Sequence, residues 1–169
     1  MAARDIVIWP DKVLNEPTKP VTEFGEKLEA LLAEMHDSVV QAEGIGIAAN
    51  QVGVPLSVAL VGRGDDTFFE IVNPEIIERT EPIQLEEGCL SVPNEWEQVK
   101  RFRKVKVRYQ DKTGAWHETE AEDKLAHVFQ HEIDHLYGTV YVMHLSNLKR
   151  SLIRERMERL KRQAKRSET

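Results

Sequence analysis

Apolar residues recur at three- and four-residue intervals through Phe24, Leu28, Leu31, Met35 and Val39. That period predicts an amphipathic helix over residues 23–42, ending before Gly44. Strand-like runs follow at Leu56–Val61, Thr67–Val72 and Glu75–Leu85, separated by Gly62/Gly64 and by Asn73-Pro74. Val105, Val107 and Tyr109 alternate before Asp111-Lys-Thr-Gly114, a hairpin signal with Trp116–Ala121 as the return strand. A second helix is expected over 124–137, with Asp123 as N-cap and Gly138 as stop. Leu148, Leu152, Met157, Leu160 and Ala164 repeat at helical spacing and predict a terminal amphipathic helix over about 146–166. Helix, strands, helix, helix reads as an α+β fold, with antiparallel sheets around the second helix.

That second helix carries Gln130-His131-Glu132-Ile133-Asp134-His135. Residues at i and i+4 share a helix face, so His131 and His135 can grip one ion together. Glu132 is rotated by about 100° and can reach a water on that ion from the side. This is the layout of a hydrolytic metal site, which ordinarily takes a third protein ligand and leaves one position open. Cys89, the single cysteine, lies in Glu86-Glu87-Gly88-Cys89-Leu90-Ser91-Val92-Pro93 and can supply that ligand as thiolate. By itself a lone cysteine reads as a small buried hydrophobe. The segment Glu43-Gly44-Ile45-Gly46-Ile47-Ala48-Ala49-Asn50-Gln51 offers open backbone at two glycines and a neutral amide donor for an oxyanion. Alone it is equally a tight glycine loop between a helix and a strand.

Taken together, Gly44-Ile-Gly-Ile-Ala-Ala-Asn-Gln51, Glu87-Gly-Cys-Leu-Ser-Val-Pro93 and Gln130-His-Glu-Ile-Asp-His135 resemble, in order and spacing, the peptide deformylases. Ile8-Trp-Pro-Asp-Lys-Val-Leu14 and Pro20-Val21 also look like that family's opening. The resemblance implies a metal-dependent hydrolase that removes the formyl group from the formyl-methionine of new polypeptides. It implies Cys89, His131 and His135 as metal ligands, Glu132 as general base and acid, and Gln51 with the Leu90 N–H as oxyanion hole. Ile45, Gly46, Glu87, Gly88, His127 and Val128 are then expected against the substrate. The family's ion is usually Fe²⁺, with Ni²⁺, Co²⁺ or, less effectively, Zn²⁺ able to substitute; the ligand set itself suits several ions.

His127 extends the histidine stripe but stands about 12 Å along the helix from His135, too far to share an ion whose bonds are about 2 Å. Many relatives carry an aliphatic residue there, lining the methionine pocket. It is either a polar wall of that pocket or a histidine bonded to a neighbour. Asp134 either supports the site through Arg101 or makes an ordinary surface ion pair. Trp96, where many relatives are basic, is a cleft residue or a core aromatic. His36, His117 and His144 are expected at the surface or hydrogen-bonded.

At 169 residues the chain is expected to form a single catalytic domain, residues 1–169. No apolar run approaches the ~18–20 residues of a membrane span, and no secretory or transit segment is visible, so no membrane role is expected. One cysteine excludes an internal disulfide, and a thiolate ligand suits the reducing cytoplasm. Net charge is −6, yet Lys149–Thr169 holds nine basic and three acidic residues, a local +6 that leaves −12 elsewhere. The basic helix can meet ribosomal RNA phosphates, or simply complement an acidic body; DNA is not an expected partner. Two other classes stay open. An HExxH zinc metalloprotease would need Tyr141 to be histidine, or a ligand from Glu155 or Glu158. An RNA-binding module would use only the basic tail.

Overall fold

The computed structural model describes residues 3–167. Helix α1 spans Glu26–Gln41 and buries Leu28, Leu31, Leu32, Met35 and Val39, the face that the apolar period marks. Five strands follow: β1 Gly46–Ala48, β2 Val58–Gly62, β3 Phe68–Cys89, β4 Val92–Gln110 and β5 Trp116–Glu122. They form one antiparallel meander in the order β1-β2-β3-β4-β5. The expected sheets are thus a single sheet. Helix α2 covers Asp123–Leu136, and α3 covers Asn147–Ser167. Among the described residues no helix is long and apolar enough to cross a membrane.

Three expectations change here. Asn73-Pro74 does not end a strand; β3 runs through it. Asn73 adopts φ 49°, and the pairing with β4 slips between Val72 and Glu75. A bulge absorbs the proline's missing N–H, and the Asn73 amide ties Val21 to Gln110 at 2.8–2.9 Å. Asp123 does not cap α2 from outside but is its first residue, at φ 55°, with its carboxylate on Arg103 at 3.2 Å. β4 also begins well before Val105, because pairing along β3 continues down to Cys89 and Val92.

Three apolar clusters hold the fold together. The face of α2 formed by Ala126, Phe129 and Ile133 packs on β2, β3, β4 and β5. Met35 and Val39 of α1 pack with Ile47, Val58 and Leu60. The third cluster joins Trp9, Leu14 and Tyr141 to Ile153 and Met157 of α3. The seam of α3 is therefore Ile153, Met157 and Leu160, while Leu148 and Leu152 are exposed. The expected stripe mixed two faces of that helix.

Candidate metal centre

The paired strands bring Cys89 to α2. Cys89 ends β3, Leu90-Ser91 is the turn, and Val92 opens β4 opposite Cys89. On α2, His131 and His135 stand one turn apart, with Nε2 atoms 3.2 Å from each other. Cys89 Sγ lies 3.3 Å from His135 Nε2, and all three donor atoms fall within 4.8 Å of one another. Donors around one tetrahedral ion, with bonds of about 2.0–2.3 Å, stand about 3.3–3.6 Å apart. The donor set and its spacing fit a small transition-metal cation. Among the described residues no other His, Cys, Asp or Glu group has such geometry, and neither Glu155 nor Glu158 joins this one. Tyr141 donates its hydroxyl to the Glu95 carbonyl at 3.1 Å.

His131 is fixed from behind. Its Nδ1 bonds the Glu87 carboxylate, which also takes Arg101 through Nε at 3.0 Å and Nη2 at 2.6 Å, and His127 Nε2 at 2.7 Å. Arg101 Nη1 reaches Asp134 at 2.5 Å, and His144 bonds the same carboxylate oxygen at 3.1 Å. Burial disfavours charge on Glu87, yet bonds from His127, His131 and Arg101 outweigh it and hold the carboxyl far below its ordinary range. Burial likewise opposes charge on Arg101, and Glu87 and Asp134 more than offset it. Glu87 lines the cleft, but its carboxylate is committed to these three partners rather than open to substrate. His127 is bonded to a neighbour and lines the cleft as well. Sequence spacing offers no signal for the Glu87–Arg101 pairing, which is not a direct cross-strand pair: Glu87 stands opposite Glu97 and Arg101 opposite Ile83, and the long Arg101 side chain spans the offset.

Glu132 is buried, and its Oε1 has no hydrogen-bond partner among the described residues. Burial, offset by His131, pushes its carboxyl up to about 7. Burial opposes charge on His131, but Glu132, Cys89 and Glu87 overcome it and raise this imidazole well above its ordinary range. Burial and the neighbouring His131 depress His135.

The glycine segment packs against this centre. A Cβ on Gly46 would meet Glu132 Oε2 at 2.6 Å, and one on Gly44 would meet the Leu90 side chain at 2.8 Å. These glycines let β1 approach Glu132 and the Leu90 turn closely. The Gln51 amide Nε2 lies 3.1 Å from Ser91 Oγ and 3.6 Å from Cys89 Sγ, while its Oε1 accepts from Ala48 N at 2.9 Å. Its amide oxygen is thus anchored and its donor end aimed at the centre. A cleft of about 600 Å³ opens here, with Ile45, Gly88, Leu90 and Val128 on its walls. Trp96 also lines it and is 62 % exposed, so it is no core residue. His36 and His117 bond Glu70 and Asp111.

The family model for polypeptide deformylase matches residues 3–151. A peptide deformylase of Acidobacterium capsulatum is 43 % identical over 166 residues, covering 96 % of this chain and 98 % of the relative. The crystal structure of a peptide deformylase from Legionella pneumophila is similar with a TM-score of 0.91 at 40 % identity, covering 98 % and 99 % of the two chains. That of the Ehrlichia chaffeensis peptide deformylase in complex with actinonin is similar with a TM-score of 0.90 at 33 % identity, covering 96 % and 99 %.

Proposed function

The chain belongs to the polypeptide deformylase family, and from that premise we propose how its residues divide the work. The enzyme hydrolyses the formyl amide at the N-terminal methionine of newly made polypeptides. Cys89, His131 and His135 hold a divalent cation, Fe²⁺ by family resemblance, with Ni²⁺, Co²⁺ or Zn²⁺ as substitutes. When bound, the cation supplies a Lewis acid and a water of lowered pKa. Glu132 takes the proton of the attacking water and hands it to the amine nitrogen as the C–N bond breaks, so the amine does not leave as an anion. The Gln51 amide, with the Leu90 N–H beside Cys89 as partner, donates to the carbonyl oxygen as it gains charge. Glu87, held by Arg101, fixes the tautomer and orientation of His131. Ile45, Gly46, Gly88 and Val128 flank the substrate's first residue, with His127 as a polar element of that wall.

The observation that carries this reading is the convergence of one sulfur and two imidazoles from distant segments beside a buried carboxylate with a free oxygen. Anaerobic purification with metal quantification, then formate release from formyl-Met-Ala-Ser under added Fe²⁺, Ni²⁺ or Zn²⁺, tests it. Loss of both metal and formate release on Cys89→Ala is expected. A Cys89→Ala variant that binds metal tightly and turns over would refute it.

The whole chain acts as one catalytic domain in the cytoplasm, where the thiolate stays reduced. The basic helix α3 extends beyond the family match, and its far end is offered to ribosomal RNA. Lys149 and Arg156 are engaged by Glu97 and Glu95, whereas Lys161, Arg162 and Lys165 form no ion pair among the described residues. Truncation would remove the buried Ile153 and Met157, so the cleaner test is charge reversal at those three positions. Salt-sensitive ribosome association should weaken; unchanged association would refute the contact.

A further inference from the structure

We infer that Trp96, lying over Gly88 and beside Glu86, forms a subsite that selects the second residue of the substrate, favouring arginine and disfavouring acids. This rests on the deformylase reading above and adds to it a preference that the first-residue site does not supply. An indole that is 62 % exposed on the wall of a deep cleft is an unusual use of a large aromatic. A Cβ at residue 88 would stand 2.6 Å from the indole Nε1 and 2.8 Å from Cδ1. Glycine is therefore what lets the ring lie down against β3, pinning one side while the rest stays open. Gly88 immediately precedes Cys89. The formyl carbon sits at the metal centre, and the second residue's Cα follows at about 6 Å, one amide step to the methionine Cα and one Cα–Cα spacing beyond it along an extended chain. Trp96, packed on the residue that precedes the ligand Cys89 and lining the same cleft, is thus within reach of that side chain.

Charge in the same place narrows the choice. β3 pairs with β4 so that Glu86 is opposite Gln98 and Glu87 opposite Glu97. Alternation along β3 turns Glu87 inward and leaves Glu86 exposed on the Gly88 face, diagonally from Trp96. Among the described residues, Glu86 and Glu43 line the cleft and enter no ion pair, and Lys124 is the only lysine or arginine on its wall. A guanidinium can stack on the indole and bond a carboxylate at once, whereas an ammonium cannot stack as a plane. An aspartate here would meet the acids without a partner.

The test compares metal-loaded enzyme on formyl-Met-Xaa-Ser peptides with Xaa arginine, lysine, alanine or aspartate, reading kcat and KM separately. Arginine should exceed alanine in kcat/KM by about three- to tenfold, carried by KM, with lysine between them and aspartate below alanine. Trp96→Ala should bring the arginine-to-alanine ratio close to one, Trp96→Phe should retain part of it, and Glu86→Gln should reduce it and its salt dependence. Equal values across the four peptides, or a ratio that survives Trp96→Ala, would overturn the subsite alone. No formate from any peptide would overturn the deformylase reading and the subsite with it.

Discussion

Replacing Glu132 by alanine separates the chemistry of this site from its stability. General acid–base catalysis by a positioned side chain contributes about 10²- to 10⁴-fold, or about 3–5 kcal/mol of barrier. Formate release should fall by that factor while bound metal stays near one equivalent, because Glu132 is not among the three converging donors. Stability should move the other way. The carboxyl rises from an ordinary 4.5 to about 7 through burial. At about pH 8 the folded state therefore keeps it ionised at a cost of about 3 kcal/mol. A raised carboxyl pKa means that this cost is absent below about 4.5, grows through the interval and is complete above about 7. Alanine removes it, and no donor is stranded at Oε1, which has no partner among the described residues. Losing one buried methylene costs about 0.8 kcal/mol, with a further cavity cost. Denaturant melts of the metal-free proteins should thus show the variant at least as stable at about pH 8, with its advantage gone at about pH 4. Near-normal turnover, or loss of metal along with activity, would refute the role given to Glu132.

Gly46→Ala places a Cβ 2.6 Å from Glu132 Oε2. A flexible carboxylate can yield, so the fold should survive while kcat drops by about 100-fold; unchanged kcat would mean that Glu132 works from another position. Glu87→Gln leaves buried Arg101 with Asp134 as its one remaining charge partner among the described residues. It should cost about 3–5 kcal/mol near neutral pH and weaken metal affinity by about 10- to 100-fold in chelator competition. Because the folded pKa of Glu87 is depressed, its contribution is complete above the ordinary 4.5 and fades below it, so the variant's deficit in urea melts should shrink in acid. In the metal-loaded enzyme, kcat/KM should rise with pH along an acid limb at or below about 7, since a bound cation lowers Glu132 further. An acid limb above about 8 would contradict a Glu132 base.

Much of this was legible one segment at a time. The face of α1, the i and i+4 histidines, and the strands on either side of Gly114 follow from local periodicity, because each side chain's direction is set by its own backbone. Long β3 and β4 were not legible, since a proline that ordinarily ends a strand is carried by the Asn73 bulge and its bonds to Val21 and Gln110. The α3 seam is illegible for a similar reason. Which of two apolar faces is buried depends on Trp9, Tyr141 and Val142 being in place to cover it.

His131, Glu132, His135 and a single available thiol are written in the order of residues, along with the hydrolytic chemistry they permit. Folding alone decided that Cys89 meets those rings, that Glu87 faces inward to Arg101 and His127 while Glu86 faces out, and that Trp96 stands open at the cleft. The division has one cause. Helical spacing is fixed by covalent geometry over a few residues, whereas strand register and burial are settled by contacts between segments far apart in the chain.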